Sequence, residues 1–100
     1  MFVENVEFEN LVDAPPEFER WSMRVVVHGD GFETRAIPIA MKVGEQNVEL
    51  IVPWFTETGV GGIQGFLVAR PEEGDVVSFG YADGPLFPTE FAFSDDGIIV

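Results

Sequence analysis

The chain of 100 residues carries eighteen Asp+Glu against five Lys+Arg, a formal charge of −13, with one histidine and no cysteine. That length bounds it to one domain over residues 1–100, and 46% apolar residues suffice for a modest core and argue against disorder. The missing cysteine excludes disulfides, zinc-finger ligation and thiol nucleophiles and suits a reducing, cytoplasmic compartment, while the charge disfavours direct contact with nucleic-acid phosphates.

Read in chain order, the sequence alternates with a period of two and holds no sustained helical period. Residues 2–9 place Phe2, Val6 and Phe8 on one strand face and Val3, Asn5, Glu7 and Glu9 on the other. Residues 14–21 are the one helical candidate. Asp13 could cap a turn with Pro15 or Pro16 at its start and Phe18 and Trp21 sharing a face, and an irregular loop is the alternative. Residues 22–28 and 32–42 flank Gly29-Asp30-Gly31, a hairpin signal, and Pro38 marks an edge, bulge or bend in the second strand.

Gly44-Glu45-Gln46-Asn47 turns the chain into 48–55, apolar on both faces and the expected central strand, its pairing ended by Pro53. A loop over 56–62 and a strand at 63–69 follow. The strand at 76–81 and that at 88–93 bring Phe79, Tyr81, Phe91 and Phe93 into an expected cross-strand aromatic cluster. After a turn at Ser94-Asp95-Asp96-Gly97 comes Ile98-Ile99-Val100. Seven or eight short strands joined by turns read as an all-β, small antiparallel sandwich or barrel, with at most one short helical turn near 14–21. No apolar run has the length of a membrane-spanning helix, and the first residues lack the pattern of a signal peptide.

Candidate chemistry is sparse. In the expected hairpin His28 faces Glu33, a pairing that one step of register removes. Asp30-Gly31, Asp83-Gly84 and Asp95-Asp96-Gly97 read as turns, because calcium loops space their acids differently. The glycines from Gly59 to Gly65 miss both phosphate-loop patterns. Glu72-Glu73, or Glu7 with Glu9, could pair as glycosidase acids, but so small a β-domain seldom encloses the cleft that reaction needs. Trp54 reads as core, and Trp21 with Phe18 as a candidate aromatic platform for a sugar. Ile98, Ile99 and Val100 either close the protein's own sheet or form the edge of a homodimer.

No nucleophile–base pair, cofactor loop or metal set emerges, so the expected function is non-catalytic and cofactor-free. The acidity points to a protein partner, in one version a basic one. Glu4, Glu7, Glu9, Glu17 and Glu19 are its densest candidates, with no membrane and no nucleic acid engaged. The alternatives are a nucleic-acid-mimicking inhibitor, whose carboxylates would stand at phosphate-like spacing, and a sugar- or small-ligand-binding sandwich. A last reading makes the charge an adaptation to high salt.

Overall fold

The alternating runs become strands in the computed structural model, which describes residues 2–11, 15–31, 39–57 and 59–99, without the side chains of residues 18, 55, 56, 59, 60 and 97–99. In chain order these are β1 (Phe2–Asn10), β2 (Met23–Asp30), β3 (Ile39–Val43), β4 (Gln46–Asn47), β5 (Glu49–Thr56), β6 (Gly59–Leu67), β7 (Val76–Tyr81), β8 (Phe87–Ala92) and β9 (Ile98–Ile99). They form a five-stranded sheet, β5-β6-β2-β1-β9, and a four-stranded sheet, β4-β3-β7-β8. Together they make the expected sandwich rather than a barrel. The one strand added to those expected is the two-residue ladder β4, and β9 falls in the expected terminal segment.

Between the sheets lies the core that the alternation predicts. Phe8, Met23, Val25, Val27, Ile63 and Leu67 point in from one side, Met41, Val43, Val77 and Phe79 from the other. Each such side chain contributes about 1.5–3 kcal/mol by burial. Phe93, from the connection after β8, meets Phe8 edge to face, with ring centroids 5.0 Å apart. The four-stranded sheet is also tied to the turn after β6: the Gln46 amide donates to Ala69 O and accepts from Ala69 N, both at 2.9 Å.

Several expectations need correction. A β-bulge between Val3 and Asn5 inserts Glu4 as an extra residue, so the facing reverses along β1. Phe2 is exposed, while Val3 packs on the core beside Val6 and Phe8. The strand at 22–28 forms no hairpin with the one ending at residue 42, because β2 has β1 and β6 on its two edges while β3 pairs with β7. Residues 32–38, including Glu33 and Pro38, lie outside the described residues. β5 is an edge strand, not a central one. Pro53 continues the pairing opposite Ile63, which an edge permits because the lost N–H falls on the open side. Most of the expected loop at 56–62 is strand: Thr56 ends β5 and Gly59–Gly62 belong to β6.

The expected aromatic cluster is also rearranged. Phe79 stands opposite Phe87, with a bulge farther along the β7–β8 pair, and Phe93 crosses to Phe8 instead. The helical candidate is a single 3-10 turn at Pro16–Phe18, with Pro16 pre-set for its first position; Asp13, the expected cap, lies outside the described residues. A second 3-10 turn, Asp95–Gly97, leads into β9. Ile98 and Ile99 then pair in parallel with Phe8 and Glu9 of the same chain. Val100 is outside the described residues.

A candidate binding face on the five-stranded sheet

Register across β1, β2, β6 and β5 sets three rows of outward positions on the sheet face turned away from the core. One row reads Asn5, His28, Gly62, Trp54; the next Glu7, Val26, Gln64, Val52; the third Glu9, Arg24, Phe66, Glu49. Trp21, from the segment before β2, lies against Phe66 at 5.1 Å between centroids. Aromatic groups thus bracket a middle row containing Val26 and Gln64.

Glycine makes one end of this face. A Cβ on Gly62 would fall 1.9 Å from Val27 O and 2.7 Å from Trp54 Nε1. Without it, the Trp54 indole lies across the strand and donates to Val27 O at 3.2 Å. The His28 ring meets Trp54 edge to face, with centroids 5.0 Å apart. His28 Nε2 is 2.9 Å from Glu7 Oε1, but outside hydrogen-bonding geometry. The carboxylate that the described residues place beside the histidine is Glu7, two residues along β1 from its strand partner; the expected partner, Glu33, lies outside them.

Charge pairs make the other end. Arg24 donates to Glu9 at 2.5 Å and to Gln64 Oε1 at 3.3 Å, which joins three strands by side chains. Arg20 grips Glu49 with two bonds of 2.8 and 2.9 Å, and Trp21 Nε1 donates to the same carboxylate at 3.0 Å. The Arg20 hydrogen bonds, then that of Trp21, hold the Glu49 carboxyl at about 2, below its ordinary 4.5. Its carboxylate raises the Arg20 pKa in return.

Between the two ends is a hollow of about 210 Å³ lined by Arg24, Val26, His28, Trp54 and Gln64. Two of its lining residues each carry a nitrogen buried without a hydrogen bond, Arg24 Nε and His28 Nε2, the latter lying against Glu7. Elsewhere, a largely apolar hollow of about 390 Å³ sits at the β7–β8 end, beside Phe79, Tyr81 and Phe87. Among the described residues no three His, Asp or Glu side chains gather as a metal site, and no helix is long and apolar enough to cross a membrane.

The residues singled out from sequence are dispersed. Glu7 and Glu9 share the outer face of β1, as the alternation requires, but each faces a basic group of β2. Glu4 is exposed at the bulge, and Glu17 and Glu19 are exposed around the 3-10 turn. Trp21 is half-buried on Phe66 and bonded to Glu49, and the side chain of Phe18 lies outside the described residues. Trp54, expected in the core, is half-buried on the outer face. Asp83-Gly84 is a turn closed by Gly84 N–H donating to Tyr81 O at 3.0 Å. Glu73 accepts from Asp95 N–H at 2.9 Å, beside the Arg70–Asp95 ion pair.

Arg24, Gln64, Phe66 and Glu49 were not among the expected site residues. The alternation Gly62-Ile63-Gln64-Gly65-Phe66 already placed Gln64 and Phe66 on one face, whereas the facing of Trp54 follows from its register opposite Gly62. No family model, curated protein or solved structure matches this chain.

Proposed function

We propose that this protein is a non-catalytic binding domain that docks on a basic protein surface, as an accessory or assembly module. One observation carries the reading. Each arginine among the described residues is spent on a carboxylate of the same chain: Arg20 on Glu49, Arg24 on Glu9, Arg70 on Asp95. These arginines therefore offer little to an acidic partner, and the surplus acids, Glu4, Glu17 and Glu19 among them, stand exposed. A surface of that kind steers basic partners and repels acidic ones.

Nucleic-acid mimicry is the special case in which the basic surface is a phosphate-binding groove. Glu7 and Glu9 would serve it poorly, since His28 and Arg24 already face them. The exposed acids would have to carry it.

The test is capture of partners on the immobilised protein at about 0.05 M and about 1 M salt, where screening shortens the reach of charge to about 3 Å. The same capture is run with Glu4, Glu17 and Glu19 replaced by glutamine. A basic protein retained at low salt, released at high salt and weakened by the triple substitution supports the reading. Absence of any salt-sensitive partner overturns it.

A further inference from the structure

We propose that the hollow walled by Trp54 and Arg24 on the outer sheet face binds a single neutral pyranose ring. The inference is independent of the basic-partner reading and uses a different part of the surface chemistry.

Size sets the first limit. About 210 Å³ is below the roughly 300–1,000 Å³ of pockets for drug-sized ligands, so the hollow suits one six-membered ring. Its wall is fixed in advance. Trp54 is tethered to Val27 O through the space that Gly62 leaves open, so little side-chain freedom is lost when a ring packs on it. Val26 adds an apolar patch. A pyranose offers a C–H face to such surfaces and a rim of hydroxyls around it.

Those hydroxyls both donate and accept, and the polar lining does the same. Gln64 carries an amide with both capacities, and Arg24 supplies donors. Arg24 Nε lacks a hydrogen bond, and buried polar groups without partners are costly. A small rotation of the Arg24 side chain against a ligand hydroxyl would satisfy it, whereas a purely apolar ligand would leave it as it is.

Charge selects neutrality. An anionic sugar or nucleotide approaches a chain of formal charge −13 against its field, and Glu9 already meets the charge of Arg24. A cationic ligand would meet Arg24 and find no carboxylate in the lining. What remains is an uncharged ring with hydroxyls, held with an affinity of about millimolar, as so small a contact allows.

The experiment is an NMR titration of the full chain with methyl glucoside, methyl galactoside, methyl mannoside and N-acetylglucosamine, each to about 50 mM. Short oligosaccharides of any sugar that binds follow, to distinguish a free sugar from a glycan end. Saturable shifts of the Trp54 indole N–H and the Gln64 amide, with Trp21 unmoved, are expected. Gln64→Ala, which alters no core residue, should weaken binding about fivefold or more while the remaining spectrum stays in place. The proposal is overturned if no sugar moves those resonances, if Gln64→Ala binds as well as the parent, or if benzoate occupies the hollow more tightly than every sugar.

Discussion

Glu49 fastens the segment before β2 to the edge of the five-stranded sheet, because one carboxylate receives both Arg20 and the Trp21 indole. Its pKa is about 2 in the folded protein against an ordinary 4.5. A depressed carboxyl stabilises the fold above its unfolded pKa and loses that contribution as pH falls through its folded value. Glu49→Gln should therefore melt below the parent at neutral pH, and the gap should close between about pH 4.5 and 2. Thermal unfolding across that range checks it, and a gap that persists below pH 2 would assign the effect to packing. Gly62 makes the second residue-scale prediction. Gly62→Ala should cost about 2–3 kcal/mol, since Val27 O is backbone and cannot yield cheaply, and should displace Trp54, read as a change in indole fluorescence.

At the scale of elements, the terminal strand gives the sharpest expectation. Ile98 and Ile99 pair with Phe8 and Glu9 of their own chain, so removing residues 96–100 should lower the melting temperature and leave the sedimenting mass unchanged. A fall in mass would show that this edge joins a second chain. Much of this architecture was legible: residues 76–81 read as a strand from alternation alone, and β1 was placed within one residue. What escaped was long-range. The bulge at Glu4 reverses the facing of Phe2 and Val3 without any glycine or proline to announce it. Strand neighbours cannot be read from a turn signal either, and Gly29 and Asp30 extend β2 beside β1. The candidate face was half legible. Alternation placed Glu7 and Glu9 outward, but Arg24 and His28 reach them only because β1 and β2 are neighbours in this register.

For the whole molecule, charge is the governing variable. Self-repulsion among the surplus acids should weaken the fold at about 0.01 M salt, where the screening length is about 30 Å, and ease by 0.15 M, where it is about 8 Å. The melting temperature should rise over that interval and then level off. A rise that continues to molar salt would make the acidity an adaptation to brine and withdraw it as support for a basic partner.

The ends of the two sheets carry a consequence for how any protein could be recognised. Among the described strands, β5 and β8 each contain a proline, Pro53 and Pro88, and β4 and β9 are two residues long. Such borders are poor templates for an added strand. Along those four strands an extended peptide would find little backbone to zip onto. The proposed basic partner would then be read as a folded shape, through side chains drawn from several strands at once. Linear fragments of that partner should compete weakly, and its unfolding should abolish the complex.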